Sequence, residues 1–158
     1  MTTTRYGTLR SEAEADTSVH EFFKTSYFKT GIQPLLGAQE ALRKLSASCN
    51  MSVVTLRQNI LKQQTFQWLE EHYPGLFQGI HFGNQYGAKV LIDDNPKYAI
   101  DSAKVGIRVV LLFDYENSYT WSKTESINQP PLITKVHKWE AVEKQLTGLI
   151  HKTSDPYY

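Results

Sequence analysis

Asp93 and Asp94 stand side by side between an apolar run, Val90-Leu91-Ile92, and the pair Asn95-Pro96. Two carboxylates in that setting suit a hard divalent cation such as Mg²⁺, which takes one or two protein carboxylates and keeps water or phosphate oxygens in the rest of its shell. Acids that abut buried residues are costly unless a metal or hydrogen bonds satisfy them. The pair is therefore a candidate metal site. The alternative is that one aspartate caps the next helix and the other is solvated. Thr55 closes a second apolar run, Met51-Ser52-Val53-Val54. A hydroxyl and free backbone N–H groups at such a strand end can hold one phosphate, although most threonines so placed have no chemical role. Asp114 follows a third run, Arg108 to Phe113, and reads as a turn residue that opens a loop.

These residues need strands and helices to carry them. Val90 to Ile92 reads as a buried strand. Asn95 is a suitable N-cap and Pro96 a suitable first helical residue, so a helix is expected from Pro96 to Lys104. Gly106 is placed to end it as a left-handed C-cap. Upstream, Ala38 to Leu45 is a short helix with Leu42 and Leu45 facing inward. Met51 to Leu56 is a strand, and a long helix runs on to about Tyr73 before Pro74 and Gly75 stop it. Ile60, Leu61, Phe66, Trp68 and Leu69 supply its apolar content. Ile80 to Phe82 is a short strand and Gly83 to Gly87 a tight connection.

Downstream, Arg108 to Phe113 is a buried strand and Leu132 to Val136 a shorter one. Trp139 to Ile150 is an amphipathic helix with Trp139, Val142, Leu146, Leu149 and Ile150 inward. Between them Asp114 to Pro131 forms a long polar and aromatic loop holding Tyr115, Tyr119 and Trp121, which either covers a base or caps the core. A further helix with an aromatic, core-packing face is expected through Val19, Phe22, Phe23, Tyr27 and Phe28. Strands alternating with helices give an α/β fold with a mainly parallel sheet. The division expected is a flexible arm over 1–15, one domain over 16–150 and a flexible tail over 151–158.

At 158 residues the chain can bury a real core. Its net charge of +1 gives no basis for a nucleic-acid polymer as partner. A single cysteine, Cys49, excludes an internal disulfide and fits a reducing, intracellular compartment, with the cytoplasm as the working assignment. No apolar run approaches the ~20 residues that span a bilayer, so no membrane association is expected. The N-terminal stretch has neither the apolar core of a secretory signal nor the acid-poor composition of a transit peptide.

Gly37-Ala38 heading a helix, Val53-Val54-Thr55, and Leu91-Ile92-Asp93-Asp94-Asn95-Pro96, in this order and spacing, resemble the haloacid dehalogenase-like (HAD) phosphohydrolases over about residues 20–150. The likeness is to the branch that includes 5′-nucleotidase and deoxyribonucleotidase-like proteins, with plant relatives. The resemblance implies a Rossmannoid three-layer α/β fold and a Mg²⁺-dependent phosphatase site. In the family, one aspartate of a D-x-D motif on the central strand attacks phosphorus and the second serves as general acid and base. A threonine or serine and a lysine hold the phosphate, and an acidic pair completes the Mg²⁺ site. The resemblance places the phosphate hydroxyl at Thr55 and the metal carboxylates at Asp93 and Asp94, with Asp93 the more direct ligand.

The departures are equally specific. No D-x-D occurs anywhere in the chain, and Asp16 is the only aspartate before Thr55. The nucleophile and its strand are absent, and no residue is assigned as catalytic. Lys89 starts a strand, at the wrong end for the site, so the lysine role is not carried onto it. Leu56 stands where many relatives have a second small hydroxyl. The chain's reach adds a geometric constraint. The connection Gly83 to Gly87 spans at most ~17 Å when extended. Crossing three strand spacings takes ~14 Å sideways before any return along the strand. Hence Ile80 to Phe82 either is not a family-like third strand or pairs differently.

Three functions follow as expectations. The favoured one is a phosphatase-family domain that is catalytically incompetent as the chain stands, as a degenerate relative or a shortened product of its gene. It keeps the fold and a weak affinity for Mg²⁺ and for a phosphorylated small molecule or nucleotide. The second is an active Mg²⁺-dependent phosphohydrolase with a non-standard nucleophile. The third is an interaction domain whose missing strand comes from another chain, which allows self-association through the incomplete sheet.

Overall fold

The computed structural model describes residues 31–55, 62–82, 87–123 and 133–153. Its elements are α1 (Ala38–Ser46), β1 (Val53–Thr55), α2 (Lys62–His72), β2 (Ile80–Phe82), β3 (Val90–Asp93), α3 (Pro96–Lys104), β4 (Val109–Phe113), β5 (Ile133–Val136) and α4 (Trp139–Thr153). Short 3₁₀ turns over Tyr115–Asn117 and Thr120–Lys123 lie between β4 and β5. The expected arm over 1–15 and the aromatic helix around Phe22 and Phe23 lie outside the described residues.

The chain divides into two compact units, one of Met1–Gln33 with Arg57–His72, the other of Pro34–Leu56 with Tyr73–Tyr158. In the first, α2 is tied to the segment before α1 by the Trp68 indole, whose Nε1 donates to Ile32 O at 3.0 Å. Trp68 also tilts against the His72 ring, with centroids 4.7 Å apart. Thr65 is the buried residue of this helix. Phe66, one of the residues that supply its apolar content, is exposed. A helix whose apolar residues do not share one stripe cannot bury them all on one face.

The second unit carries the strands. Every pairing is parallel, as expected for the fold class, and the strands form two sheets: β1-β2, and β3-β4-β5. β4 reads Val-Val-Leu-Leu-Phe, the near-continuous apolar run of a strand covered on both faces. Alternation sends its side chains to opposite layers. Leu111 and Phe113 pack with Leu45 of α1, Val136 of β5, and Val142 and Leu146 of α4. Val110 and Leu112 pack with Ala99 and Ala103 of α3. The result is α1 and α4 on one face, α3 on the other, and β4 as the buried centre. Each buried Val, Leu or Phe side chain among them contributes about 1.5–3 kcal/mol by leaving water.

Local signals in the sequence explain the element ends. Gly37 heads α1 with φ 81°, where an added Cβ would meet Trp139 Cβ and Glu140 Oε1 at 3.4 Å. This lets the start of α1 approach the start of α4. Lys44 ties the same two helices, pairing with Glu40 at 3.1 Å and Glu143 at 3.2 Å. Gly106 takes φ 98° after α3, the left-handed end expected of it. Helix α4 continues through His151 to Thr153, into what was expected to be a flexible tail.

β1 and β2 pair in register from Val53↔Ile80 to Thr55↔Phe82. Gln78 N donates to Met51 O at 2.8 Å and Val53 N to Gly79 O at 3.1 Å, so the pairing begins before the strands do. The reach constraint allowed β2 two outcomes. Among the described residues it pairs with β1 and not with the sheet of β3, and β1 is not paired with β3. Among the described residues, β1 and β3 each have a bonded neighbour on one side only.

Candidate functional site

Asp93 closes β3 opposite Leu112 of β4. Its side chain turns back on the chain: Oδ1 accepts from Asn95 N at 2.7 Å. Asn95 Oδ1 in turn accepts from Lys97 N at 2.9 Å and Pro96 opens α3. The N-cap role therefore belongs to Asn95, and neither aspartate is used for it. Asp93 is half-buried and Asp94 exposed. Burial pushes the Asp93 carboxyl above its ordinary value. The Asn95 amide pulls it down, the neighbouring charge of Asp94 pushes it up again, and the Asp94 amide lowers it. The upward causes win, so the ionised form lacks sufficient positive partners in the protein itself.

One strand away the arrangement is reversed. Asp114 follows β4 and is fully buried. Its Oδ1 accepts from Tyr119 N at 2.9 Å, and Oδ2 forms an ion pair with Lys135 Nζ at 3.1 Å. Lys135 Nζ also donates to Ser122 O at 2.8 Å. The Asp114 carbonyl accepts from Asn117 N at 3.0 Å and from His137 Nδ1 at 2.8 Å. Burial alone would raise this carboxyl, but the Tyr119 amide, Lys135 and His137 outweigh it and hold it below the ordinary value. The expected turn residue is thus also a buried anchor. It organises the loop that follows, in which Glu116 and Asn117 adopt left-handed φ of 51° and 57°. Such strain persists where the surroundings over-determine it.

The anchored loop carries two aromatic residues to the acidic pair. Trp121 Nε1 donates to Asp94 O at 3.2 Å, and Trp121 stacks on Tyr119 with ring centroids 4.6 Å apart at 16°. The Tyr119 hydroxyl is raised by burial, then by the charges of Asp94 and Asp114. The third aromatic, Tyr115, stacks instead on Phe113 at 6.4 Å and belongs to the core side. Core capping, one of the two alternatives expected of the loop, falls to Tyr115, while Trp121 sits against the backbone of the acidic pair.

Thr55 ends β1 opposite Phe82. It lies in the two-stranded sheet, whereas Asp93 ends and Asp94 follows a strand of the three-stranded one, and among the described residues no strand pairing joins the two sheets. Lys89 spends its carbonyl on Val109 N at 3.2 Å, at the start of β3 and away from the carboxyl end.

Lys135 and His137 were missed as members of this region; Trp121 was named in the loop, but not its bond to Asp94. A lysine inside the short apolar strand Ile133–Val136 was the available signal for the first of them, because a charge in a strand needs a partner. Among the described residues, no three metal-ligating side chains converge. The corner offers two carboxylates and only oxygen donors. That set fits Mg²⁺, which draws most of its shell from water and phosphate, and does not fit a four-ligand zinc centre.

The sequence profile of the family described as 5′ nucleotidase, deoxy (Pyrimidine), cytosolic type C protein matches residues 2–147. No curated protein and no solved structure matches the chain. Among the described residues, no helix is long and apolar enough to cross a membrane.

Proposed function

Because the chain belongs to this HAD-like cytosolic type C 5′ nucleotidase family, whose members generally use Mg²⁺, we propose that it is a phosphate-monoester or nucleotide-binding domain of the cytoplasm that does not turn its ligand over unaided. Asp93, supported by Asp94, holds Mg²⁺, and Thr55 offers a hydroxyl to the phosphate. The bound cation supplies charge neutralisation for phosphate oxygens. Asp93 is suited to this because its half-buried carboxylate gains from any cation placed against it. The Asn95 amide holds Oδ1 in place at 2.7 Å.

The observation that carries the reading is the division of the strands into two parallel sheets, with β1 and β3 each one-sided among the described residues. In a chain with no D-x-D, that division falls where the family's nucleophile-bearing strand belongs. Covalent phosphoryl transfer needs an activated nucleophile in place, and no residue here is assigned to that role.

The test is a phosphomonoester assay with Mg²⁺, together with calorimetric titration of Mg²⁺ and of inorganic phosphate. Binding without turnover is the expected outcome. Turnover that Asp93→Asn abolishes would replace this reading with that of an active phosphohydrolase. Failure of Mg²⁺ to bind, unchanged by Asp93→Asn, would remove the metal corner.

The one-sided strands also favour a second reading, in which another chain, including a second copy of this one, adds a strand between them. Solution mass and amide exchange test it. A strict monomer whose β1 and β3 amides are already protected argues against strand addition.

A further inference from the structure

Trp121 is 52% exposed, a large apolar surface for a residue held so firmly. One face of its indole is taken by Tyr119, stacked 4.6 Å away at 16°. Its edge is fixed by the 3.2 Å bond from Nε1 to Asp94 O. With that stack and that bond made, about half of the residue still meets solvent. The backbone beneath it is not free to swing: Tyr119 N is bound to the buried Asp114 carboxylate at 2.9 Å, and Ser122 O to Lys135 at 2.8 Å. Other aromatic residues already cap the core here, Phe113 against Tyr115 and against Trp139 at 5.1 Å. Trp121 is not needed for that purpose.

We propose that the outer face of Trp121 is a stacking platform for the base of a nucleoside monophosphate whose phosphate lies at the Asp93-Asp94 corner. This rests on the reading of that corner given above. Tryptophan presents a wide π-face to a planar base, and stacking tolerates any base because every base has such a face. An apolar ring held one hydrogen bond from the backbone of the Asp93-Asp94 corner separates a nucleotide from a simple phosphate ester: only the former fills both places. Tyr119 backs the indole and makes the platform rigid, which lowers the entropy lost on binding.

The experiment compares two ligands on the full chain with Mg²⁺, 2′-deoxyuridine 5′-monophosphate and 2-deoxyribose 5-phosphate, which lacks the base. The wild type is expected to bind the nucleotide roughly tenfold more tightly, the range of one base–aromatic stack. The nucleotide, and not the sugar phosphate, quenches indole fluorescence. Trp121→Ala brings the nucleotide down to the affinity of the sugar phosphate and leaves the latter unchanged. Trp121→Phe keeps most of the preference although it also lacks the Nε1 bond, which separates stacking from a purely structural role. Equal affinity of the two ligands for the wild type, or an unaltered nucleotide affinity in Trp121→Ala, overturns the platform alone. If neither ligand binds, the phosphate corner fails and the platform fails with it. Because Trp68 and Trp139 also fluoresce, the quenching is assigned to Trp121 by its loss in Trp121→Phe, which keeps an aromatic ring and decides the matter even where Trp121→Ala does not fold.

Discussion

Asp93 ends β3, and Asp114 follows β4, the strand hydrogen-bonded to it. Both meet the same penalty, burial of a carboxylate, and the protein treats them differently. Asp114 is completely buried but receives an amide, a lysine and a nearby imidazole, and its carboxyl ends below the ordinary value. Asp93 is only half-buried, yet it receives amides and another carboxylate, and its carboxyl ends above. The degree of burial is thus the poorer guide. A carboxylate whose charge is met by an amide and a lysine is a structural part of the fold. One left short of positive charge at the carboxyl end of a parallel strand remains available for a cation brought from outside.

The hardest test of the contrast is deletion of the satisfied acid. Asp114→Ala leaves the Lys135 ammonium and the Tyr119 amide without their partner, and breaking a largely buried pair costs about 3 kcal/mol. Urea denaturation should show a correspondingly lower midpoint with an unchanged slope. Adding Lys135→Met to Asp114→Ala should recover part of the loss, since the stranded charge is then removed. A loss no larger than that of a surface substitution would mean that the anchor is not one.

Acid titration comes next, on the metal-free protein. The Asp114 carboxyl is lowered by folding, so its stabilisation is present above the unfolded value of about 3.9 and disappears as pH falls through the folded one. The Asp93 carboxyl is raised, so its contribution is present below the unfolded value and disappears as pH rises through the folded one. Asp114→Asn should therefore flatten the acid-side loss of stability, and Asp93→Asn should steepen it. The two stability-against-pH curves, taken from pH 2 to 7 by roughly unit steps, must tilt in opposite senses for the contrast to stand.

How much of this was legible beforehand depended on whether the signal was local. The strand ending in Asp93, the Asn95 cap, Pro96 and the Gly106 end are contained within one short run, and each sits where local chemistry places it. The same holds for β4, whose unbroken apolar run announces a strand covered on both faces. The pairing of Asp114 with Lys135 joins residues from separate strands and left only the oddity of a lysine in a strand. Trp121 bonding to Asp94 is equally non-local. Phe66 shows a different limit: apolar content along α2 does not say which of its residues share the buried face.

A smaller effect, of opposite sign to the first, is expected at Asp93. Asparagine keeps an acceptor for the Asn95 amide and removes the charge that burial and Asp94 oppose. The metal-free Asp93→Asn protein should therefore be slightly more stable at pH 7 than the wild type. Solvent screening of this half-exposed group limits the gain to under about 1 kcal/mol. Thermal unfolding in a chelating buffer measures it. Added Mg²⁺ should raise the midpoint of the wild type, by mass action on the folded state, and leave that of Asp93→Asn unmoved. A loss of stability without metal would place Asp93 beside Asp114 as a structural acid.

The smallest change in stability belongs to Asp94, and it separates the metal corner from the fold. Its side chain is exposed, and what holds Trp121 is its backbone carbonyl, which substitution leaves in place. Asp94→Asn should shift stability by no more than ~0.5 kcal/mol, as surface substitutions do. Its like charge also raises the Asp93 carboxyl, so removing it offsets some of that small cost. For Mg²⁺ the substitution has the opposite consequence. Two adjacent carboxylates attract a divalent cation by their summed charge, and halving that charge should weaken Mg²⁺ binding in calorimetry while the unfolding curve stays where it was. If affinity and unfolding move together, Asp94 acts through the fold and the corner has only one working acid. If neither moves, Asp93 alone holds whatever cation binds there.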